Sequence, residues 1–369
     1  MGGQSWRRCG LITSLLLCWS LGLWAGADGA EGNATAGEPG WDRAALESVL
    51  TYAQSQRSSA VVIVDHGGVI AERYWSVEAD AGSAYANMRW GTTEAGTPIE
   101  DIASMQKSIV SVLVGIAVDR GLLDLETAVS TYLGAGWSKA PREEELAITV
   151  RHLLSMTSGL SPALEYQAPA GSVWLYNTRA YSQLVDVLEA VTGDDIGLIT
   201  KRWLTGPIGM NETAWRQRPW FTPGMDANPI GLYTTARDLV CFGELMLAGG
   251  VWQGRRVVSE SFVAAAVESS QSLNPAYGLL WWLNGWPLHY RVDGSGHTVP
   301  ASGHAVLVPA APGDMYAASG WLARKLFVVP SLGLVVVRLG DAPDTDFTQR
   351  IWELLMAAAP ASAAPRFAG

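Results

Sequence analysis

Lysine and cysteine are the scarce residues of this chain, and each scarcity excludes something. Three cysteines occur, and Cys9 and Cys18 both lie in the first eighteen positions. If that segment is removed, only Cys241 remains, so no intrachain disulfide can form. Cys241 falls in an expected helix and reads as a small buried hydrophobe. No paired cysteines and no His-x-x-x-His spacing occur, so the five histidines give no metal-ligand pattern. His66 reads as a turn residue and His152 as a structural histidine bonded to backbone. No phosphate-cradling glycine loop is present. A formal charge of -10 and the lack of basic runs exclude nucleic acid as a partner. No Gly-x-Ser-x-Gly elbow exists, and the expected strands do not alternate with helices, which removes a Ser-His-Asp α/β-hydrolase. No cofactor is implied.

What is present is a chain of 369 residues, 49% hydrophobic, enough for one large two-part core or two domains. Arg7 and Arg8 precede the apolar run from Leu11 to Trp24. Ala25-Gly26-Ala27 then offers a small-residue cleavage site, with Ala30 as a second choice. Residues 1–27 are therefore expected to be a signal peptide and 28–41 a linker. The mature protein is expected to be periplasmic or secreted, without stable membrane insertion.

The order of elements suggests the fold. Asp42 can cap a helix carrying Leu46, Val49, Leu50 and Ala53 on one face. Ala60–Val64 and Val69–Trp75 flank Asp65-His66-Gly67-Gly68 as a β-hairpin. Residues 76–100 read as irregular. From 104 to about 235 the pattern is mostly helical, including a helix from about Thr178 to Val191. Strands are expected at Tyr277–Leu283, His304–Val308, Lys325–Val329 and Leu334–Arg338, followed by a helix from about Asp346 to Ala357. This is an α+β arrangement: an antiparallel sheet from both chain ends (42–100 and 236–357), with a helical lobe (101–235) inserted and a frayed tail at 358–369.

The chemistry centres on Ser104-Met105-Gln106-Lys107. Ile109, Val112, Leu113 and Ile116 follow at the spacing of one helical face, so Ser104 opens a buried helix. Lys107 lies one turn on, on the same side as Ser104. A serine hydroxyl is a weak nucleophile until a neighbour takes its proton, and a desolvated lysine can do so. The helix N-terminus adds positive potential and a backbone N–H for a developing oxyanion. The chain has only four lysines, Lys107, Lys139, Lys201 and Lys325, and only Lys107 has a serine three residues before it.

Four stretches in order carry a family likeness: Ile102 to Ser108, Ile148 to Leu160, Gly231 to Leu239, and Phe327 to Leu332. On these the chain resembles serine β-lactamase-like hydrolases of the class C and DD-peptidase type. It is most similar to the branch of 6-aminohexanoate-dimer hydrolases and related esterases. The likeness spans about 42–357 and implies a β-lactamase/transpeptidase-like fold. It implies that Tyr176, within Gly171-Ser172-Val173-Trp174-Leu175-Tyr176-Asn177-Thr178, shares the Ser104 proton with Lys107. It also implies that Tyr176 protonates the leaving group. A tyrosine beside an ammonium can lose its proton below its usual range. Whether Lys107 or Tyr176 is the formal base stays open, because the two titrate as a pair. Tyr85-Ala86-Asn87 precedes the serine and reads as a decoy.

Two departures from the family bear on substrate. Thr178 stands where an asparagine is usual, and offers fewer hydrogen bonds than an amide. The Lys-Thr-Gly motif is absent, with Ala318-Ser319-Gly320-Trp321 in its place, which removes a cationic grip on a substrate carboxylate. Both point away from efficient β-lactam hydrolysis. By the resemblance, Gly320 lets the strand approach the substrate, and Trp321 supplies a second oxyanion N–H beside that of Ser104. Thr178, Gly320 and Trp282 are the substrate-binding candidates. Trp281, Trp282, Trp286 and Trp321 are candidates for an acyl pocket, one or two of them at most. The expected activity is cleavage of a small-molecule ester, amide or peptide through a Ser104 acyl-enzyme. The alternative is an inactive or slow-turnover member serving as a binding or sensor module. Oligomeric state is not legible.

Overall fold

A computed structural model describes residues 40–80, 82–223, 225, 227–301 and 306–360. The expected signal peptide, its cleavage sites, most of the linker, His304 and most of the frayed tail lie outside these residues.

The larger sheet is antiparallel and six-stranded. Its order is Gly68–Tyr74, Ser58–Asp65, Leu334–Gly340, Arg324–Val329, Tyr316–Gly320 and Trp282–Leu283. The first hairpin thus pairs with the last strands, and the two chain ends build one sheet. The centre is almost wholly apolar: all eight residues of Ser58–Asp65 and all seven of Leu334–Gly340 are buried. Such a strand needs cover on both faces.

Register and packing show where that cover comes from. Leu326 pairs with Val337, and Phe327 with Val336, so the two sets face opposite sides. The helix Ala236–Leu247 covers the Leu326 side. A Cβ at its Gly243 would lie 2.5 Å from Val335 and 2.9 Å from Leu326, so only glycine lets this helix seat so closely. The helix Phe347–Ala358 covers the other side, where Trp352 meets Phe327 edge-on at 5.4 Å. The helix Arg43–Ser55 packs against it and against Ser58–Asp65. The expected linker end is also seated here: the Trp41 indole donates to Asp65 Oδ2 at 2.9 Å.

Residues 76–100 are more ordered than expected. They hold a helix, Ala84–Met88, and the strands Arg89–Thr92 and Pro98–Asp101. These strands join Ile230–Thr234 and Ala214–Gln217 in a second antiparallel sheet of four. Tyr277–Leu283 is mostly not strand: only Trp282 and Leu283 are, pairing with Ala317 and Tyr316. Of the strand expected at His304–Val308, residues 306–308 are irregular and the remainder lies outside the described residues.

The helix Gln106–Asp119 is the hub between these parts. Twelve of its fourteen residues are buried, so it is covered on all sides rather than on one apolar stripe. Its serines act as ties: Ser108 donates to the Leu280 carbonyl at 2.8 Å and Ser111 to that of Leu279 at 2.6 Å. That fixes the segment leading into Trp282. Among the described residues, no helix is long and apolar enough to cross a membrane. Replacing Gly243 with alanine forces the Ala236–Leu247 helix off the sheet. Urea unfolding is expected to show a loss of about 1–3 kcal/mol, as for other overpacked cores.

Candidate active site

The serine turn is built from its neighbours' charges. Ser104 sits in a short 3-10 turn, Ala103–Met105, before the buried helix. Ala103 has φ +51°, a left-handed conformation that alanine adopts at a cost. It is held by Asp101, whose Oδ1 accepts the Ala103 N–H at 2.8 Å. Asp101 is itself clamped by Arg218, with Nε to Oδ2 at 2.6 Å and Nη2 to Oδ1 at 2.9 Å. The pair is buried. Arg218 also reaches Gln106 Oε1 at 3.3 Å and the Asn228 carbonyl at 3.0 Å. Gly231 makes room for this pair, since a Cβ there would lie 2.6 Å from Asp101 Oδ2.

A second buried pair holds the facing strand end. Glu100 accepts from Arg324 Nη2 at 2.9 Å and from the Tyr85 hydroxyl at 2.8 Å. Tyr85 is therefore a support residue, packed with Met88 and Leu322 behind the turn Trp321–Ala323. Gly320 abuts the serine turn itself: a Cβ there would lie 2.4 Å from the Ile102 carbonyl oxygen.

Lys107 is buried and its Nζ lies 3.0 Å from Ser104 Oγ and 3.3 Å from Thr178 Oγ1. Its Nζ stands over two rings, 4.7 Å from the centre of Tyr176 and 4.8 Å from that of Tyr181. A ring face attracts a cation, so these tyrosines fix the amine in place. Thr178, expected to contact substrate, is engaged by Lys107 here. Its placement follows from Asn177, which caps the helix Thr178–Thr192 by accepting the N–H groups of Arg179 and Ala180. Asn177 also donates to the Leu160 and Ser161 carbonyls, at 2.8 and 2.9 Å. The stretch Ile148 to Leu160 is thereby tied to the neighbour of Tyr176. Within that stretch His152 is structural, its Nδ1 accepting the Thr149 N–H at 3.1 Å.

Burial pushes the Tyr176 phenol well above its ordinary range, against a smaller opposite pull from the Ser104 side chain. The sequence reading allows a lowered value beside an ammonium; burial raises it instead. The ring packs at 6.1 Å on Trp282, and the Tyr176 N–H donates to Thr298 Oγ1 at 3.0 Å.

One cavity of about 670 Å³ is lined by Ser104, Lys107, Tyr176, Thr178, Trp282, Gly320 and Trp321. All the site residues expected from the sequence thus border one space. Trp321 stands at its rim, 45% exposed. Trp281 is instead a core residue against Phe242 and Tyr316, and Trp286 is not part of the lining. Cys241 is half-buried, and burial pushes its thiol up to about 11. Sequence reasoning missed Asp101, Arg218 and Gln106. It also missed Lys325, which lines the same cavity. The scarcity of lysine was the available signal for the last; nothing local marked the others.

This geometry, a buried lysine on a helix-opening serine opposite a sheet edge, defines a class, and comparison with known proteins agrees. The chain belongs to the Beta-lactamase family, whose pattern it matches over residues 43–359. Solved structures share the fold. A Bacteroides dorei protein assigned as a beta-lactamase superposes with a TM-score of 0.63 at 18% identity, covering 86% of this chain and 99% of its own. A Bacillus anthracis protein assigned as a 6-aminohexanoate-dimer hydrolase gives 0.58 at 18%, covering 85% and 80%. A family VIII carboxylesterase gives 0.58 at 16%, covering 88% and 98%. The fold is thus a β-lactamase-type hydrolase fold, with esterase relatives among its structural neighbours.

Removing Asp101 strands the Arg218 guanidinium in the interior and frees the Ala103 turn. Asp101→Ala is expected to cost about 3–5 kcal/mol in urea unfolding, the usual penalty for breaking a buried pair. An unchanged midpoint would contradict this account of the serine turn.

Proposed function

We propose that the protein is an exported serine hydrolase that cleaves an ester or amide bond through an acyl-enzyme on Ser104. The observation that carries this reading is the 3.0 Å approach of Lys107 Nζ to Ser104 Oγ inside a cavity also lined by Tyr176. Ser104 attacks the carbonyl carbon as Lys107, in its amine form, takes the hydroxyl proton. The backbone N–H groups of Ser104 and Trp321 receive the oxyanion. Tyr176 remains a phenol at neutral pH in this environment, so it serves as a proton relay and gives a proton to the leaving alcohol or amine. Water then attacks the acyl carbon, and Ser104 regains its proton as the acid departs. In this reading the site lies between a sheet domain (42–100 and 236–357) and a helical lobe (101–235), and residues 1–27 direct export.

Small esters are the preferred substrates, ahead of linear amides, cell-wall peptides and β-lactams. The absence of a Lys-Thr-Gly strand and the engagement of Thr178 by Lys107 support that order. A purely binding role has less support, because it has no use for a buried amine aimed at a serine hydroxyl. Ser104→Ala and Lys107→Ala are each expected to lower p-nitrophenyl acetate hydrolysis at least about a thousandfold, with the fold retained by circular dichroism. Near-normal rates in either variant would sink the mechanism.

A further inference from the structure

Tyr176 sits on a stretch without regular structure: residues 173–177 belong to neither strand nor helix. Backbone N–H groups there have no ladder to enter and must find partners singly. The Leu175 N–H donates to the Met156 carbonyl at 2.9 Å, and the Asn177 N–H lies 3.3 Å from Met156 Sδ. Between them, the Tyr176 N–H donates to Thr298 Oγ1 at 3.0 Å, across 122 residues of chain.

Thr298 belongs to a β-hairpin of Tyr290–Val292 and Thr298–Pro300. Among the described residues, these two strands pair only with each other. Tyr290 stands opposite Pro300 and Val292 opposite Thr298, so the four share one face of the ribbon. Tyr290 and Thr298 of that face meet the stretch that carries Tyr176. Tyr290 stacks on Trp174 at 6.0 Å, while Thr298 takes the Tyr176 N–H. Trp174 meets Trp282 edge-on at 6.0 Å, and Trp282 stacks on the Tyr176 ring at 6.1 Å. The hairpin thus reaches Tyr176 twice, at its backbone and through two indoles at its ring.

The hairpin is itself fastened at its base. Asn274 is fully buried, accepts the N–H groups of His289 and Tyr290 at 3.0 and 3.2 Å, and donates to the Tyr290 carbonyl at 3.1 Å. At the tip, Asp293 Oδ1 accepts the Ser295 and His297 N–H groups at 2.9 and 3.0 Å. Residues 291–296 of this tip line the cavity that holds Ser104. One ribbon therefore borders the substrate space and holds Tyr176.

We propose that Thr298 is a positioning residue for Tyr176: through the hairpin 290–300 it holds the tyrosine where its phenol can hand a proton to the leaving group. This rests on the proton-donor reading of Tyr176 given above. Aim matters to such a donor, since a misplacement of about 1 Å can cost a hundredfold in rate. The demand is greatest for an alkoxide, which departs only with a proton, and least for p-nitrophenolate, which departs as the anion.

The test compares ethyl acetate with p-nitrophenyl acetate. Both give the same acyl-enzyme, so kcat/KM reports acylation and the leaving group alone differs. Thr298→Val keeps the shape of the side chain and removes the acceptor. It is expected to lower kcat/KM at least about tenfold for ethyl acetate and no more than about threefold for p-nitrophenyl acetate. Thr298→Ser keeps the hydroxyl and is expected to recover most of the loss. Tyr176→Phe is measured alongside. Where Tyr176→Phe discriminates between the esters, an equal loss or no loss in Thr298→Val overturns the proposal and leaves the donor reading standing. Where Tyr176→Phe lowers both alike, the donor reading falls, and hydrogen exchange decides whether Thr298 holds Tyr176. In 15N-tyrosine-labelled protein, the Tyr176 N–H is expected to exchange at least about tenfold faster in Thr298→Val than in the wild type or Thr298→Ser. Unchanged exchange overturns the proposal. Thermal melts confirm that each variant is folded.

Discussion

Two adjacent acids, Glu100 and Asp101, hold the geometry around Ser104. On a strand, successive side chains point to opposite faces. Asp101 turns one way to Arg218 and the Ala103 N–H, and so fixes the serine turn. Glu100 turns the other way to Arg324 and Tyr85, and so fixes the turn that begins at Trp321. The two halves of the site are therefore referred to a single dipeptide. Burying such charges is expensive, and it is tolerated only where partners and hydrogen bonds are complete. The left-handed Ala103 costs about 1–3 kcal/mol by itself and persists because this network over-determines it.

The same economy of placement governs Lys107. It is held by Ser104, Thr178 and two tyrosine rings, so in the proposed chemistry little ordering remains to be done when a substrate arrives. In that chemistry the raised Tyr176 phenol is a proton donor rather than a permanent anion.

Elements set by local periodicity were legible in the sequence. The first hairpin, the serine helix, the helix Thr178–Thr192 and the last two strands lie within a few residues of where apolar spacing puts them. The second sheet was not legible, because its strands are four or five residues long and its two local strand pairs join across more than a hundred positions of chain. Arg218 was hidden for the same reason, with its partner 117 residues away. Ser104, Lys107 and Tyr176 were recoverable because their order and surroundings carry the family's pattern. The contact between Thr178 and Lys107 was not, because the two lie seventy-one residues apart in the chain. Lys325 read as the start of a strand, and only the register with Ser319 reveals its place in the cavity.

The central claim is that Ser104 is an activated nucleophile. The most direct measurement is the intact mass of the protein after incubation with a fluorophosphonate probe, alongside Ser104→Ala. The account predicts a single adduct on the wild type and none on the variant. An unmodified wild type, or an adduct that survives the substitution, would contradict it and shift attention to ligands that bind without reacting.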